Sequence, residues 1–435
     1  MPKKNHDWDF DNPPKVYRHT LHKHQVYEAY LERYIDTVIP FNGTHARLSI
    51  VDGFCGGGIY FFEEKNEICF GSPVRIIETV RRKAKEFNAK RKKPLKFLIN
   101  YYFTDRDPTA IACLKKVFEH KGIREEDGEK ISIECGDFSD LYPKIKLDIE
   151  RSVSRKVQQK VIFILDQYAF KEVPFSLTNK IMTDFEKGEI LLTFVPRAFL
   201  DYAGRNSQHS LDVTNRQLER LGIQVSIDDI REKARLITNN YSYQHNEQFF
   251  LQESIARVVK ENATASHFSK YFIKSANCSR DLWIIHLANH YKAHDVMMGV
   301  HWESANCDYY HPGYWGLPPS ILGFDSSQSD LTQQLNMDMI HFNEESEART
   351  IKTLSEQFTH LLFDKFNRTI TVAELFQLIT NDTTCNIQLV KQALQQSIDR
   401  KDVLLVSKDS RQHRVATAAP DYATIELIQK PLILI

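Results

Sequence analysis

The spacing of apolar positions changes near residue 45. Before this point, Val26, Tyr30, Tyr34 and Val38 recur at helical spacing, and the helix they predict ends at the turn signal 40–43. Short apolar runs alternating with amphipathic segments follow. Several runs are rich in Val and Ile and apolar on both faces, which is typical of parallel strands covered by helices. The runs predict a doubly wound α/β sheet and are Leu48–Val51, Leu98–Phe103, Ile131–Cys135, Val161–Leu165 and Ile190–Val195.

Two later apolar runs extend this sheet. Phe268–Lys274 and Leu282–Leu287 are separated by a short polar stretch, which favours a hairpin. A mostly parallel sheet that ends in such a pair, with one strand antiparallel, is of the class I methyltransferase type. Residues of about 205–265 are expected to form a polar helical insertion. The pattern divides the chain into an N-terminal helical segment (1–45), a Rossmann-type domain (46–325) and a C-terminal domain (335–435).

The C-terminal domain shows a different order of elements. One helix carries Leu354 and Phe358, a second opens with the capping box Thr371–Glu374, and a third carries Val390 and Leu394. The runs Val403–Val406 and Arg414–Ala418 then flank a polar turn. Three helices followed by a small hairpin predict a winged-helix-like domain, although a plain helical cap shows similar periodicity.

Composition gives no support for several classes of protein, among them disulfide-rich, zinc-binding and membrane proteins. Lysine plus arginine and aspartate plus glutamate number 57 each among 435 residues, so net charge gives no global argument for nucleic acid. The seven cysteines contain no CxxC pair, which disfavours both a disulfide framework and a zinc site. His19, His22 and His24 lie close together without a cysteine or carboxylate at ligand spacing, so no metal site is expected. A polar N-terminus and the lack of long apolar stretches predict a cytoplasmic protein.

The first predicted strand leads into a glycine-rich loop, Asp52-Gly53-Phe54-Cys55-Gly56-Gly57-Gly58. Glycine permits close approach of a ligand to the backbone and the positive φ angles of a tight turn. Acidic and aromatic residues that could bind a ligand follow the next three predicted strands as well. Together these ends predict S-adenosylmethionine as cofactor, and the candidate binding residues are Asp52, Phe54, Gly56, Gly58, Asp105, Asp107, Asp137 and Phe138.

These candidates have separate roles and alternatives. Asp105 is the first choice for the ribose hydroxyls, because Asp107 also fits an N-cap in Asp-Pro. Asp137 would meet the adenine amino group, and Phe138 would pack on the ring or belong to the core. Asp166 and Tyr168 follow the fourth strand, where the reacting group would lie, and are the candidate catalytic residues. A carboxylate directly after five apolar residues has the strongest claim to function.

Several of these motifs resemble one known family. Val51–Gly58, Gly71–Pro73, Phe103–Asp107 and the later His290–Met297 resemble the three-Cys-motif partner proteins. The resemblance implies a methyltransferase-like fold and a cysteine-rich partner protein with a three-cysteine motif. It does not specify a reaction.

The chain departs from related patterns in two places. Cys55 and Gly57 stand where relatives more often have Ala and Pro. The segment Asp166-Gln167-Tyr168-Ala169 lacks the two prolines of the Asp-Pro-Pro-Tyr motif of amino methyltransferases, in which the aspartate holds the amine and the aromatic stacks on a flipped base. The long interval between Asp52 and Asp105 also predicts that residues around 59–71 loop over the site as a lid.

A basic stretch, RRKAKEFNAKRKKPLK at residues 81–96, is the candidate nucleic-acid surface. Arg91, Lys92 and Lys93 are its proposed contacts with RNA or DNA, and a solvated basic face is the alternative. A winged helix could also enter a major groove with its third helix, but Lys391 is the only charged residue on that helix's polar side.

The sequence therefore favours a methyltransferase that uses S-adenosylmethionine and acts on nucleic acid or within a complex with a cysteine-rich partner. A non-catalytic subunit that binds the cofactor or nucleic acid is the alternative. A DNA-binding regulator is a third, less favoured class.

Overall fold

The computed structural model describes residues 7–39, 43–152, 160–167, 173–195, scattered positions between 212 and 229, 256, 258–273, 282–304, 311–312, 339–365, 369–381 and 383–428. The chain divides into two compact units. One is drawn from Met1–Ala234 and Asn246–Ala293, and the other from Arg235–His245 and His294–Ile435.

The first unit is built on a seven-stranded sheet in the order β5-β4-β1-β6-β7-β9-β8. Neighbours from β5 to β7 are parallel, whereas β9 is antiparallel to both β7 and β8. This mixed, mostly parallel sheet fits a class I methyltransferase-like fold and confirms the predicted strands and hairpin. The strands are β1 (His45–Asp52), β4 (Lys96–Asp105), β5 (Glu129–Cys135), β6 (Lys160–Leu165), β7 (Lys187–Phe194), β8 (His267–Ile273) and β9 (Leu282–Ala288).

Helices cover this sheet, and local sequence sets their ends. Asp107 caps α3 by accepting a hydrogen bond from the Thr109 N–H at 2.8 Å, Pro108 is the first helical residue, and Gly122 ends the helix with a φ of 64°. The helices are α1 (Arg18–Val38), α2 (Ser72–Ala89), α3 (Pro108–Lys121), α4 (Phe138–Arg151) and α5 (Phe175–Asp184).

Helix α1 runs antiparallel to the parallel strands. Near its start, Lys23 binds Asp166 just after β6, whereas at its end the Lys160 side chain at the start of β6 donates to the Val38 carbonyl at 3.0 Å. Between them, the Tyr27 hydroxyl lies 3.1 Å from the Thr193 hydroxyl of β7. Helix α1 therefore begins at the carboxyl edge of the sheet, where it can supply residues to a site.

Residues 59–71 form a hairpin, where the sequence predicted a loop. Strands β2 (Ile59–Phe62) and β3 (Glu67–Phe70) pair antiparallel, and Asn66 in their turn has a φ of 52°. The N-terminal segment extends this pairing, since Phe61 N–H donates to Pro14 and Val16 N–H donates to Phe61, both at 2.9 Å. The role of lid stays a prediction.

The second unit contains a four-stranded sheet in the order β12-β15-β13-β14, formed by β12 (Thr369–Thr371), β13 (Val403–Val406), β14 (Gln412–His413) and β15 (Thr424–Leu427). Residues 311–312 and 339–340 form the short pair β10–β11. Helix α6 (Tyr291–Glu303) begins at the boundary between the units, and α7 (Glu344–Lys365), α8 (Val372–Ile379) and α9 (Ile387–Asp399) belong to the second.

The predicted three helices and hairpin are present in this unit, together with the capping box of Thr371 and Glu374. The predicted second strand of the hairpin, Arg414–Ala418, is wrong: the strand that forms the hairpin with β13 is β14 (Gln412–His413), and the backbone at Arg414 and Ala416 hydrogen-bonds instead to a side chain of α9. Gln395 accepts from the Ala416 N–H and donates to the Arg414 carbonyl, and residues 416–418 form a 3₁₀ turn. The winged-helix assignment stays a prediction.

The predicted helical insertion lies largely outside the described residues. Among the residues that the structure describes, no helix is long and apolar enough to cross a membrane.

Candidate functional site

The glycine loop lies where the strand order of the sheet reverses. From β1 the chain reaches β4 and β5 on one side and then β6 and β7 on the other, so a crevice opens at the carboxyl end of β1. The loop is fastened to both neighbouring strands, since Gly53 N–H donates to Ile164 at 3.0 Å and Cys55 N–H donates to Thr104 at 2.9 Å. Gly56 and Gly58 have φ angles of 59° and 73°, which strongly favour glycine.

Asp52, at the end of β1, is fully buried. Its Oδ1 accepts from the Phe54 N–H at 3.2 Å, whereas Oδ2 has no hydrogen-bond partner among the described residues. Burial raises the pKa of Asp52 to about 7, despite the opposing influence of the Ser72 hydroxyl and the Phe54 N–H. A buried carboxylate oxygen without a donor is costly and is therefore a candidate contact for a cationic ligand.

Asp105 holds the glycine loop against the end of β4. Its Oδ2 accepts from the Gly56 N–H at 3.0 Å and its Oδ1 from the Asp107 N–H at 2.9 Å. Burial raises the pKa of this carboxyl, against the lowering effect of the two backbone donors. Each carboxylate oxygen has a second lone pair, so this support is compatible with further hydrogen bonds from ribose hydroxyls.

The remaining residues predicted to bind the cofactor differ in whether their side chains are free to contact it. Asp107 is the N-cap of α3, which was its alternative role. Asp137 precedes α4 but makes no side-chain cap hydrogen bond, and it is exposed. Phe138 is buried, and its ring centroid lies 6.2 Å from that of the partly buried Phe54 and 6.4 Å from that of Phe163. Phe138 thus belongs to the core beneath the loop.

Asp166 is part of an ion pair that the sequence did not indicate. Both carboxylate oxygens lie 2.6 Å from Nζ of Lys23, whose side chain is 8% exposed against 21% for Asp166. Although burial opposes ionisation, Lys23 holds the pKa of Asp166 below its usual value. Tyr168 lies outside the described residues.

Gln167 stands where the Asp-Pro-Pro-Tyr motif has its first proline, and its side chain forms two hydrogen bonds. Its side chain is buried, accepts from the Val173 N–H at 3.0 Å and donates to the Thr193 carbonyl at 3.3 Å. The Gln167 amide therefore links Val173 to Thr193 of β7.

His24 and Tyr60 are two further residues that sequence reasoning did not assign to this site. His24 is 3% exposed, its ring centroid lies 6.3 Å from that of Tyr60, and its Nδ1 has no hydrogen-bond partner within the described part of the chain. Burial, followed by the charges of Lys23 and Arg75, lowers the pKa of His24 to about 3. The imidazole is therefore neutral at physiological pH.

One signal for this cluster was available in the sequence. Lys23 shares the buried face of α1 with Tyr27, Tyr30 and Tyr34, at intervals of three and four residues. A lysine on an otherwise apolar helical face is expected to have a partner.

Trp8 covers the outer residues of the glycine loop. A Cβ added to Gly57 would lie 2.4 Å from the indole, and one added to Gly56 would lie 2.8 Å from it. The Trp8 and Tyr60 rings meet edge to face with centroids 5.2 Å apart. These contacts explain glycine at position 57, whose φ is not positive, by the close approach of an aromatic ring.

The basic stretch lies away from this crevice. Arg91 donates to the carbonyls of Lys93 and of Gly43, which precedes β1 at the opposite edge of the sheet, and Lys92 and Lys93 are exposed. Other basic residues of the stretch form ion pairs within the unit: Arg81 with Glu126 and Glu129, Arg82 with Glu32 and Glu86, Lys83 with Asp36 and Glu86, and Lys96 with Asp127.

In the described residues no cluster of three or more His, Cys, Asp or Glu side chains could hold a metal ion, and the histidines of α1 form none.

The chain has weak structural similarity to solved proteins. No family model matches the chain, and no curated protein matches it. A Legionella pneumophila protein of the DUF519 family has a similar structure with 10% identity and a TM-score of 0.31, covering 61% of this chain and 84% of its own. A Listeria monocytogenes protein described as a class I S-adenosylmethionine-dependent methyltransferase has 8% identity and a TM-score of 0.25, and the match covers 63% of this chain and 62% of that protein. At these TM-scores neither likeness bears on the reaction.

Proposed function

We propose that this protein is a methyltransferase that uses S-adenosylmethionine. The observation that carries the proposal is the buried Oδ2 of Asp52, which has no hydrogen-bond partner in the described part of the chain and lies beside a glycine loop at the point where the strand order reverses. Ligands of open α/β sheets bind in the crevice at this point. The ammonium group of the cofactor's methionyl part would donate a hydrogen bond to Oδ2, and its positive charge would balance the Asp52 carboxylate.

The other strand ends fit the rest of the cofactor. Asp105 would accept the ribose hydroxyls with its remaining lone pairs, and the exposed Asp137 would accept the adenine amino group. Phe54, partly buried above Phe138, offers an apolar surface to the ring. When bound, S-adenosylmethionine supplies an electrophilic methyl group.

The work of the protein is mainly to position the acceptor and to exclude water. Lys23, His24 and Asp166 lie at the end of β6 and the start of α1, where an acceptor would approach, while Trp8 shields the loop. Tyr168 would shape the acceptor pocket. Each of these residues orients or shields, and none needs to form a covalent intermediate.

The resemblance to three-Cys-motif partner proteins supports a cysteine-rich partner protein as part of the proposal. Nucleic acid is a further proposed acceptor or ligand, with Lys92 and Lys93 as the more available basic contacts, because Arg91 already donates to two carbonyls. The second unit, as a winged-helix-like module, would dock one of these partners. Within α9, Lys391 is buried and donates to Ala419, so the charged residue considered for groove contacts is already used.

A non-catalytic subunit that binds the cofactor is the second candidate. The engagement of Asp166 by Lys23 favours it, because that carboxylate is then not free to hold a target amine as in Asp-Pro-Pro-Tyr enzymes.

Calorimetric titration with S-adenosylmethionine and S-adenosylhomocysteine tests the cofactor assignment. We expect one site per chain and at least a tenfold loss of affinity in Asp52→Asn, equivalent to about 1.4 kcal/mol. The control is Asp127→Asn, which removes an aspartate whose side chain is 87% exposed and should leave binding unchanged. Absence of binding by the wild type, alone and with its partner, would refute the proposal.

Incubation with labelled cofactor and cell fractions separates enzyme from subunit. Transfer of label to RNA, DNA, protein or small molecules supports the enzyme, whereas cofactor binding without transfer supports the subunit.

A further inference from the structure

Lys23 and Arg75, two basic residues near the crevice, are each paired with a carboxylate. Nζ of Lys23 lies 2.6 Å from both oxygens of Asp166, and the Arg75 guanidinium lies 3.1 Å from Glu28. Each pair is close to neutral as a whole, so neither offers a net positive charge to a ligand. The charge that a ligand meets in the crevice is therefore set by the carboxylates that remain.

Asp52 and Asp105, the carboxylates next to the glycine loop, form no ion pair with any described residue. Asp105 accepts from two backbone N–H groups, and the fully buried Oδ2 of Asp52 has no hydrogen-bond partner within the described residues. Arg106 and Asp107, which follow Asp105 in the chain, act on its charge in opposite directions. With both carboxylates ionised, this part of the crevice carries an excess of negative charge and suits a cation.

Tyr60 reaches the same region from the hairpin β2–β3. Its hydroxyl oxygen lies 3.4 Å from the position that a Cβ would take on Gly56 of the glycine loop. The pKa of Tyr60 is raised by burial and also by the charges of carboxylates at three strand ends, those of Asp166, Asp52 and Asp105. Because a Coulomb interaction weakens with distance, the phenol lies near the ends of β1, β4 and β6. The hydroxyl is protonated, and its oxygen is a neutral acceptor among these carboxylates.

S-adenosylmethionine and S-adenosylhomocysteine differ only at the sulfur. The first carries a methyl group and a positive charge there, whereas the second is a neutral thioether, and both share the ammonium group, the ribose and the adenine. A preference between the two can therefore come only from recognition of the sulfonium. An excess of carboxylate charge favours the cation, and a hydroxyl oxygen accepts weak hydrogen bonds from methyl hydrogens that carry part of the charge.

We infer, on the basis of the proposed function, that the crevice selects the sulfonium charge of the cofactor and that Tyr60 contacts its methyl group. Tyr60 is then a specificity-determining residue that comes from the hairpin and not from a strand end. The protein binds S-adenosylmethionine about tenfold or more tightly than S-adenosylhomocysteine. The demethylated product, which lacks the charge, is held less firmly and exchanges readily for new cofactor.

Calorimetric titration of the full-length protein with three ligands tests the charge preference. The ligands are S-adenosylmethionine, S-adenosylhomocysteine and an analogue with a protonated amine in place of the sulfonium, titrated at pH 8, where Asp52 is mostly ionised. We expect both cationic ligands to bind at least about tenfold more tightly than the neutral one. Equal or tighter binding of S-adenosylhomocysteine, or an amine analogue that binds no better than it, would overturn the inference.

Tyr60→Phe tests the residue, because it keeps the aromatic ring and removes only the hydroxyl. We expect the affinity for S-adenosylmethionine to fall about two- to fivefold, while that for S-adenosylhomocysteine stays the same. Tyr102→Phe is the matched control, since the Tyr102 hydroxyl donates to Asp148 of α4 at 2.9 Å, and its loss should leave the ratio of the two affinities unchanged. An unchanged ratio in Tyr60→Phe would also overturn the inference.

Failure of the proposed function gives a different result. If the wild type binds none of the three ligands, alone or with its partner, the cofactor proposal is refuted and the inference with it. Binding of all three with equal affinity would refute the inference alone.

Discussion

The two ends of helix α2 differ in whether the charged groups near them are paired. At its Ser72 end lies Asp52, buried and with one oxygen that has no hydrogen-bond partner among the residues described, next to a loop in which Gly56 and Gly58 hold left-handed conformations. Toward its Ala89 end lies the basic stretch, where Arg81, Arg82 and Lys83 are neutralised by carboxylates. Arg81, Arg82 and Lys83 are therefore paired within the unit, whereas the buried Asp52 keeps one oxygen without a donor among the described residues. The number of charges in a stretch of sequence thus does not show whether those charges are available to a ligand.

The largest effect should come from adding a side chain to the loop. Gly58→Ala places a methyl group 2.6 Å from Leu114 at a φ of 73°, so strain and overpacking combine. Gly122→Ala is the control, because its φ of 64° is similar but no atom of the described structure lies within 4 Å of the added Cβ. We expect Gly58→Ala to lower the free energy of unfolding by about 1–3 kcal/mol more than Gly122→Ala does, measured by denaturant titration. Equal losses would show that the loop has room for a side chain.

A second, intermediate effect concerns pH. Because the folded pKa of Asp52 is raised to about 7, its carboxyl is largely protonated below that pH and ionised above it. A cationic ligand favours the ionised form, so cofactor affinity should rise with pH up to about 7, by at most tenfold per pH unit, and level off above it. Calorimetry between pH 5.5 and 8.5 measures this.

The same shift affects stability with a defined sign. Since the folded pKa of Asp52 exceeds the unfolded value of 3.8, its ionisation destabilises the fold progressively between pH 4 and 7. Asp52→Asn should remove this contribution and also the pH dependence of cofactor affinity. An unchanged pH profile in that variant would assign the titration to another group.

The smallest effect is expected at the far end of α2. Replacing Lys92 and Lys93 by Ala should change the free energy of unfolding by no more than about 0.5 kcal/mol, since both are exposed. If they contact phosphates, the log–log salt dependence of RNA binding in gel shifts should flatten by about one to two units. No change in this slope would leave the stretch as a solvated and internally paired face, and the contrast between the two ends of α2 would become sharper.

Much of the fold followed from local patterns. Strands β1, β4, β5, β6 and β7 were predicted because each is a short apolar run, and α3 because Asp107, Pro108 and Gly122 mark its ends within one segment. The glycine loop was also predicted from the sequence, because a cluster of glycines follows the first apolar run. The hairpin β2–β3 was missed because its alternation is weak and its partner segment, Pro14–Val16, is distant in sequence.

The polar contacts of the site depend on distant partners. Lys23 and Asp166 are 143 positions apart, and neither residue's neighbours reveal the pairing. The ion pairs of Arg82 with Glu32 and of Lys83 with Asp36 were missed for the same reason, because Glu32 and Asp36 lie on α1, far from α2 in the sequence. Residue types at strand ends can be read from sequence, but whether their charges are already satisfied depends on the tertiary structure.

A crystal structure with S-adenosylhomocysteine would test the central claim most directly. We predict that the ligand's ammonium group lies about 2.7–3.2 Å from Oδ2 of Asp52, with the ribose near Asp105 and the adenine near Asp137. A ligand bound elsewhere, or one that leaves Oδ2 of Asp52 without a donor, would contradict the account.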